Sequence, residues 1–221
     1  MAGHRSVLRR VGKWCTVGSA VFVAALIALF IFHSVRTGVA SVAWMISEAK
    51  NYHSVTPAME PNFNPGEHMM ARLRTSSGGF PSRGTVLVVR NPLKPEQDWV
   101  RRLVGLPFDR VAINDGVLYV NGSAVAEEDM GPAGGGYRLV RETLPGGHSH
   151  LIKVAAPDTA RTSFGEISVP AGQMLLLADN RDGAKDSRHA ELGLVPLDNI
   201  IGVAKFIYLS PDLSRLGATI E

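Results

Sequence analysis

The chain has 221 residues, 45% hydrophobic and 19% charged, enough for one medium domain with a core of its own. Its formal net charge of +3 is too small to argue for nucleic acid as a partner. A single cysteine, Cys15, excludes an intramolecular disulfide, and without a Cys/His cluster of ligand spacing no metal or other cofactor is expected.

The basic excess is unevenly placed. Arg5, Arg9, Arg10 and Lys13 precede the first acidic residue, Glu48. They lead into CTVGSAVFVAALIALFIF, an uncharged run of 18 residues from Cys15 to Phe32. An apolar helix of about 17–25 residues crosses a bilayer. The one-sided basic flank counts against a buried core helix. A removed signal sequence is the alternative, but the run continues into Phe32, His33 and Ser34 with no shorter core followed by small residues. The pattern predicts a cytoplasmic basic tail over 1–14, a transmembrane anchor over 15–34, a juxtamembrane segment over 35–53 and an extracytoplasmic domain over 54–221. That makes a single-pass protein of the cytoplasmic membrane with its N-terminus inside. VASVAWMI (39–46) is too short to span again, and reads as an interfacial helix with Trp44 at the headgroup level.

After residue 54 the periodicity is strand-like. GTVLVVRNP (84–92) is a short apolar strand stopped by Asn91-Pro92, and WVRRLVGLP (99–107) is another, ended by Gly105 and Pro107. VAINDGVLYVNGSAV carries Asp115-Gly116 and Asn121-Gly122, both suited to the positive-φ turns of tight hairpins, so it reads as a three-stranded meander. Residues 123–165, with GPAGGG at 131–136, read as a loop-rich insertion; no Gly-Lys-Ser/Thr follows to make a phosphate loop. His148 and His150 fall in that stretch and are expected to be solvated. QMLLLADN (173–180) and IIGVAKFIYLS (200–210) complete a mainly β domain of folded antiparallel sheets.

The densest polar segment is ADNRDGAKDSRHAELGLVP, 178–196. It sets Asp179, Asn180, Arg181, Asp182, Asp186, Ser187 and Arg188 directly behind an apolar strand. A solvated turn is one reading. The spacing does not fit an EF-hand, which needs D-x-[DN]-x-[DN]-G and a distal Glu. A structural Asp–Arg network that holds strands in register is the third, since charge-assisted Arg–carboxylate bonds suit that task.

ADNRDGAKDSR closely resembles the GDNRDNSxDSR signature of bacterial type I signal peptidases. WVRRLVGLPFDRVAINDGVLYVNG resembles the family's K-R-V-x-G-x-P-G-D segment and the hairpin after it, and TPAMEPNF its S/T-x-S-M-x-P-T-L box. The three motifs occur in the family's order, over roughly residues 54–210. The resemblance implies a membrane-anchored β-fold peptidase that cuts signal peptides from exported preproteins with a Ser nucleophile and a Lys general base. Residue by residue it places the nucleophile at Ala58, the base at Arg101, the hydroxyl that partners the base at Ala184, and an oxyanion-binding hydroxyl at Thr56. Met59, Pro61 and Phe63 fall where the family meets substrate or lipid.

Those replacements carry chemical consequences. A Ser–Lys dyad works because a desolvated lysine loses its proton near neutral pH and accepts one from serine. A methyl group cannot attack a carbonyl, and a guanidinium keeps its proton. The expected protein is therefore a signal peptidase-like scaffold whose reaction is absent or severely impaired. It would bind signal peptides or preproteins, membrane lipid, and an active paralogue or the export machinery. Two rivals stand beside it: an active peptidase with a non-standard dyad such as Thr56 with Lys185, and a docking or regulatory subunit of an export or pilus system. Because strand neighbours face opposite ways, Arg101 and Arg102 are expected in different environments, with Arg101 paired to Asp179 or reaching along the groove.

Overall fold

The computed structural model describes residues 48–74, 79–156 and 163–220. The tail, the anchor and the 39–46 segment lie outside those residues. Among the described residues no helix is long and apolar enough to cross a membrane.

The domain is mainly β, and its named strand pairs are all antiparallel. In chain order the strands are β1 (Ala49–His53), β2 (His68–Leu73), β3 (Val86–Arg90), β4 (Asp98–Gly105), β5 (Arg110–Asn114), β6 (Val117–Val120) and β7 (Ser123–Ala124). Then come β8 (Ala126–Gly134), β9 (Tyr137–Thr143), β10 (Ser149–Ala155), β11 (Phe164–Ser168), β12 (Gln173–Leu177), β13 (Val195–Pro196) and β14 (Ile200–Leu209). The largest sheet runs β1-β2-β14-β3-β4-β12-β13, and a second runs β11-β5-β6-β7. Residues 49–53, assigned from sequence to the juxtamembrane segment, thus form the edge strand of the main sheet.

Burial explains why the central strands are continuous apolar runs without alternation. In β3, Val86 and Val88 join the cluster of Met59, Phe63, Met69 and Ile207, while Leu87 and Val89 join Leu103, Met174 and Leu176. In β12, Leu175 and Leu177 pack with Val104 of β4 and with Ile113 and Leu118 of the second sheet, while Met174 and Leu176 face the other way. A sheet covered on both faces rewards an apolar side chain at every position. The meander follows its turn chemistry: Asp115 and Gly116 have φ of 47° and 79°, and Asn121 and Gly122 have 55° and 80°.

The 123–165 stretch differs from expectation. Most of it folds into a third sheet, β10-β9-β8. Its strands carry charges and glycines because only a small cluster, Val140, Ile152 and Val154, is buried beneath them. His150 is buried rather than solvated, for it alternates inward with Ile152 and Val154 along β10.

Candidate functional site

Three separated segments meet at one place. The 55–62 segment is bound to the loop after β12: the Asn180 backbone N–H donates to the Ala58 carbonyl at 3.1 Å and the Asn180 amide to the Pro57 carbonyl at 3.0 Å. Asn62 donates to Asp179 at 2.7 Å. Arg102 of β4 clasps the same aspartate through Nε and an Nη, both at 2.7 Å, with both side chains wholly buried. Burial alone would raise the Asp179 carboxyl, and the Arg102 guanidinium overcomes it and holds the group below the ordinary carboxylate range.

The remaining residues of the charged loop form linked pairs. Arg181 forks onto the buried Glu142 of β9 at 2.7 and 2.6 Å. Burial pushes Glu142 up, but Arg181 and the nearby His150 bring it down to about 2. Arg188 forks onto Asp186 at 2.8 Å twice, and the Ala178 N–H donates to Asp186 at 3.0 Å. Asp182 accepts the Ala155 N–H at 2.8 Å, and the Ser187 hydroxyl accepts the Leu176 N–H at 2.9 Å. Ion pairs and hydrogen bonds, with Asp179, Arg181 and Asp186 buried, tie β12, the third sheet and the 55–62 turn to this segment.

In front of the network lies a groove of about 430 Å³, lined by residues 53–56, Ala58, Met59, Phe63 and 97–101. Ala58 and Arg101 share it, as does the exposed Thr56. Arg101 does not pair with Asp179; Arg102 takes that place. The Arg101 fork instead donates Nε and an Nη to the Lys185 carbonyl at 2.8 and 2.6 Å, and the other Nη to the Val100 carbonyl at 2.6 Å. Its guanidinium lies 4.7 Å over the Trp99 ring. Burial pulls the group down to about 10, so it stays cationic at neutral pH. Ala184 is half-buried one residue before the Lys185 carbonyl, and it brings no hydroxyl to that corner.

The Lys185 ammonium pairs with Glu191 on the exposed side of the loop, and Lys185 is not among the groove's lining residues. It does not meet Thr56 as a base would have to. Met59 and Phe63 are only 2% exposed and belong chiefly to the core, so their contribution to the groove is a floor rather than a projecting apolar face. Pro61 is half-buried in the turn after Met59 and lies outside the groove lining. No group of His, Cys, Asp and Glu that could hold a metal occurs among the described residues.

The sequence profile described as "Signal peptidase, peptidase S26" matches residues 10–209. The chain belongs to this signal peptidase family. Among its relatives, signal peptidase I of Rickettsia typhi is 35% identical over 144 residues, 61% of this chain and 54% of the relative. Signal peptidase I of Pseudomonas fluorescens is 37% identical over 153 residues, 62% of this chain and 54% of the relative. The chain thus spans about half the length of the curated signal peptidases it matches. A solved signal peptidase I from Enterococcus faecalis V583 is 26% identical, with a TM-score of 0.37, over 57% of this chain and 98% of that one.

Sequence reasoning missed Arg102, Glu142 and Asn62 as members of the network. Two signals were available: adjacent arginines inside an apolar strand must send one inward, and the alternation His150, Ile152, Val154 marks a strand with a buried face.

Proposed function

We propose that this chain is a signal peptidase-family membrane protein that binds signal peptides of exported preproteins in the groove and does not cut them by a Ser–Lys reaction. The observation that carries the proposal is the groove lining: the nucleophile and base positions given by the resemblance hold the Ala58 methyl and the Arg101 guanidinium. A methyl group supplies no attacking oxygen, and a permanent cation accepts no proton. The groove itself persists, bounded by the 53–56 backbone, the β4 strand and an apolar floor, which suits an extended peptide. Anchoring through residues 15–34, with the β domain on the outer side of the cytoplasmic membrane, belongs to the same proposal and rests on the charge and hydropathy pattern.

The test is cleavage of a purified preprotein by the full chain in detergent. Loss of a catalytic dyad lowers turnover on the order of a millionfold, so no product above background is expected. The Ala58→Ser/Arg101→Lys variant should gain detectable cleavage, and adding Ala184→Ser should raise it. Ordinary cleavage by the unaltered chain, abolished by Thr56→Ala, would overturn the proposal.

A further inference from the structure

Arg101 differs from the other buried arginines. Arg102 has Asp179 and Arg181 has Glu142, each at contact distance within the domain. Arg101 is only 7% exposed, yet it has no ion pair among the described residues. Asp186 and Asp179, which favour its charge through space, are already clasped by Arg188 and Arg102. The groove's own acid, Asp98, pairs with Lys50 at 3.1 Å and accepts the Tyr52 hydroxyl at 3.3 Å. A guanidinium has five N–H donors. Three of them are used on carbonyls, which leaves two N–H groups on a desolvated cation that lines an open groove.

A buried charge that touches only carbonyls and an aromatic face, its nearest carboxylates already clasped by other arginines, is incompletely compensated, and an anion that completes the fork relieves it. Trp99 beneath the guanidinium and the two carbonyls beside it fix the plane in which that anion is met. From the missing counter-charge and the groove beside Ala58, we propose that Arg101 is a carboxylate receptor: the groove takes a peptide that ends beside Ala58 and binds its free terminal carboxylate. A peptide running on past Ala58 brings only neutral amides and desolvates Arg101 further, whereas one that ends there supplies the negative charge. The ligand class is then a released peptide, such as a cleaved leader, in preference to an uncut preprotein. This rests on the peptide-groove reading above and narrows it.

The experiment is calorimetric titration of the full chain in detergent with acetyl-Val-Ala-Gly-Ala. The peptide is offered as free acid, as amide, as amide with a final Asp, and continued by four further residues. The free acid should bind at least roughly tenfold tighter than the other three, the range expected for hydrogen bonds to a charged group. That preference should vanish in Arg101→Met and be reduced in Arg101→Lys, which keeps the charge but loses the fork. Equal affinity for acid and amide in the unaltered chain would reject the receptor and leave the peptide groove standing. Tight binding of the Asp amide would reject the chain-end specificity, and persistence of the preference in Arg101→Met would assign it to another cation. If none of the four peptides binds, the peptide groove itself fails.

Discussion

Successive residues of β4 project to opposite sides of the sheet, so Arg101 and Arg102 meet different surroundings although both are buried. Arg102, with no exposed surface, faces an aspartate that is equally enclosed. Removing one partner leaves the other as an uncompensated charge in a dry site. Arg102→Met should therefore cost about 3–5 kcal/mol in urea unfolding. The Arg102→Met/Asp179→Asn double variant should be less destabilised than the sum of the singles, because neither charge is then stranded. A loss below about 1 kcal/mol in the single variant, the range of surface pairs, would show that Asp179 is not what holds the guanidinium. The Arg-Arg pair was legible as two environments but not as to which arginine takes the aspartate. Distribution between the faces depends on strand register, and register is set by partners far away in sequence.

The third sheet shows where patterning stops being informative. The β3, β12 and β14 strands announce themselves by apolar composition, and the meander by Asp-Gly and Asn-Gly. By contrast β8 reads AEEDMGPAG and is exposed along most of its length, so no hydrophobic face marks it as a strand. What this sheet contributes is attachment. The Lys153 N–H donates to the Asp179 carbonyl and the Arg181 N–H to the Lys153 carbonyl, both at 2.8 Å, while Glu142 receives the Arg181 fork. Glu142→Gln should weaken that grip locally. Exchange of the Lys153 and Arg181 amides should quicken roughly tenfold more than that of Val88 and Leu103 in the main sheet, which follow only the change in overall stability, since elements open with their own free energies. Uniform acceleration would mean that the third sheet and the main sheet unfold as one unit, with no separate clasp on the charged loop.

For the whole molecule the buried carboxylates set the response to acid. Glu142 is held at about 2 against an ordinary 4.5, and Asp179 and Asp186 are displaced in the same direction by their arginines against the pull of burial. As pH falls, the unfolded chain binds protons at these groups before the folded chain does. The stability they confer is present above about pH 4.5 and is lost as pH falls through the folded values. His150 adds a loss of the same sign at higher pH: burial lowers its imidazole below the ordinary 6.5, so the unfolded state takes up that proton first. Glu142 alone accounts for about 3 kcal/mol across its window. The urea midpoint should hold near pH 7, decline as pH falls below the ordinary 6.5 and His150 is drawn to protonate, and fall steeply between about 4.5 and 2. Glu142→Gln should flatten the acid limb while lowering the neutral plateau, because the neutral amide no longer titrates and no longer compensates Arg181. An acid limb of unchanged steepness in that variant would remove Glu142 from the account and leave the acid response to the other buried carboxylates, Glu67 among them.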